Sequence, residues 1–460
     1  MQPIHHLGEE ISNARRDQLI QLEARSQRTF TPSQAVIARS AGVFHWTPEG
    51  KKLFDFTSGV LVANLGHNPN SWMRRFYRYM NWPESFSNAS SFFEAVPMTA
   101  YNGVTPIEME ASQRLIEFTK NRPGGSRLNQ VMWAASGSEA IQKALWAAMA
   151  RDKNRPMILA TRFGFHGKKG LANAVTGSEQ DSERDPRVRF ISFPMQECAD
   201  VSKREDEIDL RPFRHELHEL WDQFDHKIGV MITEPYLGGG GSYHPQKSYL
   251  QMLQAFCHQH DLIFILDEVQ SNFGRTGKMF AYETYGLEPD MVVLGKGLGN
   301  GVPVAAVLGR GDIFSSLQYG EASDTWSANP LNCASVLATL DEFEERDVLG
   351  PMQEVSKFIE AGLIELKKFP FVEHVRGEQG GMVWGLEFRP HANLSGGEWA
   401  NRFVLEGYLG DGGTTPGVHL LGPLAKKVVR ISPPLVITQE EASNAMAILH
   451  RAAQRMNSET

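Results

Sequence analysis

The chain has 460 residues, 41% hydrophobic and 22% charged, values typical of a folded protein with a large core. Its net charge of −8 argues against a nucleic-acid or anionic-membrane partner. The three cysteines, Cys198, Cys257 and Cys333, stand far apart with no CxxC pair, so they offer no metal-ligand framework and suit a reducing compartment.

No stretch is long and apolar enough to span a bilayer, and residues 1–16 lack the apolar run of a signal peptide. A cytoplasmic protein is expected. Residues 1–40 read as a polar, partly helical arm. Gly42-Val43-Phe44-His45-Trp46-Thr47 and Lys52-Leu53-Phe54-Asp55-Phe56 read as short strands around the Pro48-Glu49-Gly50 turn. Thr57-Ser58-Gly59-Val60 follows, then Gly66-His67-Asn68-Pro69, a turn that opens a helix. Residues 83–106 are aromatic and proline-rich without periodicity, which predicts a long ordered loop.

From Asn129 apolar strand candidates alternate with helical or loop segments. They begin at Val131, Met157, Val188, Gly229, Leu262, Met291 and Ala305. Seven strands with helices between them predict a doubly wound, mostly parallel α/β sheet. Beyond residue 330 the texture changes to α+β. Residues 331–346 and 352–368 predict two amphipathic helices; 371–376, 382–388 and 428–431 predict short strands. A last helix starts at Thr438, whose hydroxyl and Glu441 fit a capping box. No internal repeat is present. The glycine run 238–241 lies between elements of one sheet and reads as a close-approach loop.

In such sheets ligands gather beyond the carboxyl ends of the strands. The first strand ends in Ser136-Gly137-Ser138-Glu139-Ala140, either a plain helix cap or an anion site on exposed backbone N–H groups. The second is followed by Phe163-Gly164-Phe165-His166-Gly167-Lys168, where an aromatic either packs in the core or stacks on a planar ring. The fourth ends in Glu234-Pro235, the fifth in Asp267-Glu268-Val269-Gln270. An aspartate after five apolar residues needs a partner, either a structural arginine or a protonated ring nitrogen. The sixth runs into Gly295-Lys296-Gly297-Leu298-Gly299-Asn300-Gly301, where the lysine is either solvated on a turn or a Schiff-base former. If the fifth and sixth strands are neighbours, Asp267 and Lys296 reach one crevice. Arg430, a lone charge in Val428-Val429-Arg430-Ile431, faces a carboxylate, structural or from a substrate.

Taken in order, these motifs, with Phe273-Gly274-Arg275-Thr276-Gly277-Lys278, Asn329-Pro330 and Arg430-Ile431-Ser432-Pro433-Pro434-Leu435, give a chain that resembles the class III pyridoxal-phosphate-dependent aminotransferases over residues 54–438. The resemblance implies fold type I: a large domain over 67–330, with 1–66 and 331–460 contributing to a smaller α+β domain. It implies pyridoxal 5'-phosphate as cofactor, no metal, and ping-pong transfer of an amino group from an amine or ω-amino acid to an α-keto acid. Lys296 would carry the cofactor as a Schiff base and act as general base, and Asp267 would keep the ring nitrogen protonated. Gly137 and Ser138 would hold the phosphate, Phe165 and Val269 would cover the ring faces, and Gln270 would lie near the ring hydroxyl. His166 and Glu234 would border the cofactor. Thr325 would reach the neighbouring subunit's phosphate in a homodimer. Arg430 would bind the substrate α-carboxylate, with Val60 and Lys168 also on the substrate side.

Two positions depart from the family. Gly239 stands where members using 2-oxoglutarate often carry a glutamate that gates the arginine, which predicts a smaller acceptor such as pyruvate. Lys168 stands where dicarboxylate-handling relatives often have arginine. Two alternatives to an aminotransferase are a racemase, aminomutase or decarboxylase of the same fold, and a non-catalytic cofactor-binding protein.

Overall fold

The computed structural model describes residues 3–83, 85, 91–101, 103–181, 184–412 and 415–458. The strand pair expected around Pro48-Glu49-Gly50 forms as β2 (Phe44–Trp46) and β3 (Lys52–Asp55), antiparallel, with β1 (Arg39–Ala41) on the outer side of β2. Asp55 closes β3 and organises the turn beyond it. Its Oδ1 accepts from Thr57 N at 2.8 Å, Thr57 Oγ1 at 2.7 Å and Ser58 N at 3.2 Å, and its Oδ2 accepts from His67 Nε2 at 2.7 Å. Burial alone would raise this carboxyl, but hydrogen bonds from His45 and His67 hold it well below the usual carboxylate range. The chain then winds left-handed through Ser58, Gly59, Val60 and Leu61, with φ of 49°, 58°, 67° and 61°. Each non-glycine residue there costs about 1–2 kcal/mol. The Asp55 cap offsets that cost, as does a 2.7 Å bond from Ser58 Oγ to Ser432 O.

All seven expected strands form one sheet. They are β4 (Gln130–Ala134), β5 (Met157–Thr161), β6 (Val188–Ile191), β7 (Ile228–Thr233), β8 (Ile263–Asp267), β9 (Met291–Leu294) and β10 (Ala305–Gly309), in the order β4-β10-β9-β8-β7-β5-β6. β10 alone runs opposite to the other six strands. The strands read as unbroken apolar runs because both faces are covered. Ile263 and Ile265 join the core under helix Gly137–Arg151, while Phe264 and Leu266 join the core on the other face.

Of the segment expected as a long loop, residues 84, 86–90 and 102 lie outside the described residues. A helix starts at Pro106, with Thr105 Oγ1 capping Glu108 N. The first expected amphipathic helix forms at Pro330–Glu345 but is not amphipathic: apart from Leu331, its residues from Pro330 to Phe343 are buried on every side. It lies between helices Asn70–Tyr79 and Pro106–Lys120, and its buried acids Asp341 and Glu342 pair with Arg75, Arg78 and Arg114. Solvent therefore meets only its C-terminal end.

β11 (Val372–Gly377) and β12 (Trp384–Phe388) match the expected C-terminal strands, and β14 (Val428–Ile431) completes an antiparallel sheet in the order β11-β12-β14. Two elements were not anticipated: helix Gly396–Leu409 and β13 (Gly417–His419), which pairs in parallel with β3. The last helix, Gln439–Ser458, has the expected cap, with Thr438 Oγ1 accepting from Glu441 N and donating to Glu441 Oε2. Arg275 fastens the segments together. Its guanidinium, fully buried, donates to Asn64 Oδ1 (2.7 and 3.0 Å), Met382 O (3.0 Å) and Pro433 O (2.6 Å). Among the described residues no helix is long and apolar enough to cross a membrane.

Candidate active site

β8 and β9 are adjacent and parallel, with Asp267 opposite Val293, so Asp267 and Lys296 emerge from the same edge of the sheet. Both line a cavity of about 360 Å³. Lys296 has φ 47°, a left-handed residue between Gly295 and Gly297. A Cβ at 297 would stand 2.5 Å from Asn64 Nδ2, so the flanking position has no room for a side chain. Burial lowers the Lys296 ammonium to about 8; the charge of Asp267 opposes the shift and that of Arg430 adds to it.

Asp267 is buried, and each of its oxygens has one partner. Oδ1 accepts from Val269 N at 3.0 Å, and Oδ2 accepts from His166 Nδ1 at 2.7 Å. A carboxylate has further acceptor capacity, and that capacity is left for the cavity. His166 Nε2 is buried without a hydrogen-bond partner among the described residues.

One wall is the start of helix Gly137–Arg151. Ser136 caps it, its Oγ accepting from Glu139 N, so the amides of Gly137 and Ser138 are the free ones at the positive end. The wall is tightly built: a Cβ at 137 would stand 3.2 Å from Val269 Cγ1, and one at 167 would stand 2.3 Å from Ser138 Oγ.

The opposite wall is Phe165, Glu234 and Gln270. Glu234 is buried and accepts from Phe165 N at 2.8 Å and Gly238 N at 3.2 Å. Burial raises its carboxyl to about 7, with His166 pulling it down and Asp267 pushing it up. The glycine run is a close-approach loop. A Cβ at 238 would stand 2.2 Å from Gln270 Oε1, and one at 239 would stand 2.9 Å from Phe165 Cβ.

Arg430 comes from the other sheet, on β14. It lies behind Gln270 rather than on the wall, its Nη1 donating to Gln270 Oε1 at 3.3 Å. It is 3% exposed, its Nε has no partner, and no carboxylate pairs with it among the described residues. Burial lowers its guanidinium below the ordinary arginine value, opposed by Tyr236 and Glu234.

Of the thirteen residues expected at this site, nine line the cavity: Gly137, Ser138, Phe165, His166, Glu234, Asp267, Val269, Gln270 and Lys296. Besides Arg430, three stand off it. Val60 is 40% exposed at the crest of the left-handed turn, and Val62 takes the wall position instead. Lys168 is exposed beyond the wall, and Thr325 is exposed on the turn after Asp324. Val302 and Pro303, just past the lysine loop, also line the cavity and were not anticipated. Their nearness to Lys296 in sequence was the available signal.

Comparison with known proteins gives a consistent answer. The family described as aminotransferase class-III matches residues 25–453. An acetylornithine aminotransferase of Agrobacterium fabrum is 30% identical over 92% of this chain and 95% of its own length. The ornithine aminotransferase structure from Toxoplasma gondii superposes with a TM-score of 0.79 at 20% identity, covering 98% of this chain and 96% of that one. An amine transaminase from an uncultivated Pseudomonas species, in its PLP-bound form, superposes with a TM-score of 0.76 at 23% identity, covering 94% and 97%.

Proposed function

The chain belongs to the class-III aminotransferases, and from that premise we propose how its own residues carry out amino-group transfer. The protein is a pyridoxal-phosphate-dependent aminotransferase of fold type I. When bound, the cofactor supplies a protonated ring that takes up the electron pair left as a donor C–H bond breaks.

The residues present fit that group. The free amides of Gly137 and Ser138 and the Ser138 hydroxyl suit its phosphate. Asp267, with acceptor capacity directed into the cavity, suits the protonated ring nitrogen and is held in place by His166. Phe165 and Val269 suit the two ring faces, and Gln270 the ring hydroxyl. Glu234 ties Phe165 to the glycine loop. Lys296 holds the cofactor. Its Nζ, with a pKa brought down to about 8, would take the proton from the donor carbon and deliver it to the cofactor, so that the amino group leaves the donor. Thr325 serves the neighbouring subunit's phosphate in a homodimer, and the protein works in the cytoplasm. Residues 1–66 and 331–460 act as one smaller unit beside 67–330, a reading supported by the β3–β13 pairing.

The observation that carries the substrate reading is Arg430, a buried guanidinium without a carboxylate partner among the described residues, close enough to Lys296 to weaken its hold on a proton. A desolvated cation of this kind suits a substrate carboxylate. A side chain at position 239 would start 2.9 Å from Phe165 Cβ, which disfavours a gating residue there. We therefore read the acceptor as a small keto acid of the pyruvate type. Lys168, exposed beyond the cavity, leaves an amine or diamine donor as open as an ω-amino acid. The test is kcat/KM for pyruvate and 2-oxoglutarate with a panel of amines. Preference for pyruvate is expected, and a clear preference for 2-oxoglutarate would overturn the reading.

A further inference from the structure

Lys143 lies in helix Gly137–Arg151, whose first turn is the free-amide wall of the cavity. It points away from the cavity and is only 5% exposed. A buried ammonium is costly unless its three protons find acceptors. Here all three do: Trp133 O at 2.6 Å, Asp324 Oδ2 at 2.6 Å and Ser327 Oγ at 3.0 Å.

The last two partners belong to an otherwise exposed turn. Asp324 Oδ1 accepts from Trp326 N at 3.0 Å and Ser327 N at 2.8 Å, and Ser327 Oγ donates to Asp324 Oδ2. Burial pushes the Asp324 carboxyl up, but the Lys143 hydrogen bond and charge hold it below its ordinary value. An aspartate turn of this type closes on its own hydrogen bonds and needs no buried cation. What the cation adds is a fixed position for the turn relative to the sheet. At the crest, between the two anchored residues, Thr325 is exposed and its hydroxyl makes no hydrogen bond within the described chain.

We propose that Lys143 is a positioning residue for cofactor retention: it locks the turn of residues 324–327 so that Thr325 meets the neighbouring subunit's phosphate site. This rests on the reading of Thr325 given above. One helix then serves two sites, presenting free amides to its own subunit's cofactor and holding, from its interior, the turn that serves the other subunit's.

The test is a double-mutant cycle on the dissociation constant for pyridoxal phosphate, measured by fluorescence titration of cofactor-free protein. Thermal unfolding of each cofactor-free variant is recorded in parallel. Thr325→Ala is expected to weaken binding about tenfold, the value of one hydrogen bond to a charged group. Lys143→Met is expected to weaken it by a similar factor. The double variant is expected to bind no more than twofold worse than Thr325→Ala, because Lys143 acts through Thr325. Asp324→Asn, at the half-buried end of the tether, is expected to behave as Lys143→Met does and stands in if Lys143→Met fails to fold.

If Thr325→Ala weakens binding but neither tether variant does, or if the losses add, Lys143 is purely structural and the proposal falls. If Thr325→Ala leaves binding unchanged, the reading of Thr325 itself falls, and the proposal with it.

Discussion

His166 Nδ1 donates to Asp267 Oδ2 at 2.7 Å, linking the loop after β5 to the end of β8 across 101 residues of sequence. The bond fixes which way the carboxylate faces and leaves its remaining lone pairs toward the cavity. His166→Phe keeps an aromatic ring and removes the donor. It is expected to lower kcat about tenfold while the fold persists. An unchanged kcat in a folded variant would show that Asp267 needs no such support.

Asp267→Asn removes the charge itself. A neutral amide cannot stabilise a protonated ring nitrogen, so kcat is expected to fall by about 10²–10³. Single-turnover kinetics would check this, since they isolate proton transfer from product release. A fall in binding with an unchanged single-turnover rate would refute it.

Lys296 carries a stability cost in the cofactor-free protein. Its folded pKa, about 8, lies below the ordinary lysine value, so the unfolded chain holds the extra proton between the two. Stability attributable to this group therefore rises as pH climbs from about 8 toward about 10.5. The penalty at pH 7 is about 1–3 kcal/mol. Urea unfolding of the cofactor-free protein should find Lys296→Met more stable than wild type at pH 7, with the gap narrowing in alkali. A constant gap across that range would contradict the assignment.

Asp55 works in the opposite direction. Its folded pKa is depressed, so its contribution is fully present above about pH 4 and is lost as pH falls below that. Asp55→Asn keeps an oxygen to cap the left-handed turn but removes the charge and replaces the Oδ2 acceptor that faces His45 and His67 with an NH2 donor. A loss of about 3 kcal/mol at pH 7 is expected from denaturant unfolding, shrinking toward pH 3. A loss that does not depend on pH would point to packing alone.

Gly239→Ala places a methyl 2.9 Å from Phe165 Cβ. Overpacking of this kind costs about 1–3 kcal/mol. If that cost falls on the cavity wall, kcat/KM drops by about tenfold or more. Wild-type kcat/KM in the alanine variant would mean that the loop yields freely and that a gate fits here after all.

The central sheet was legible because a parallel sheet covered on both faces writes each strand as an unbroken apolar run. The residues after those runs then marked the cavity. Helix Pro330–Glu345 was misread because its periodicity was judged as if one side met water, whereas helices cover it on several sides and its acids pair with Arg75, Arg78 and Arg114. Helix Gly396–Leu409 was missed although Ser395 and Glu398 form a capping box, because Gly396, Gly397 and Gly407 weaken the helical signal. Val60, expected on the substrate side, stands at the exposed crest of a left-handed turn, a conformation that no local sequence pattern announces, and Val62 lines the cavity. The His166–Asp267 bond had no local signature, since sheet order alone brings those loops together.

Arg430 reaches Gln270 from a different sheet than the one that carries Asp267 and Lys296. On the proposed reading, the group that recognises the acceptor and the groups that move the proton thus sit on two different sheets. Mutations in β14 or its neighbours can shift which keto acid is taken while the lysine and aspartate stay in register. Such a partition makes this scaffold evolvable: new amine and acceptor pairs are open to it by drift in one sheet, with the reaction kept intact in the other.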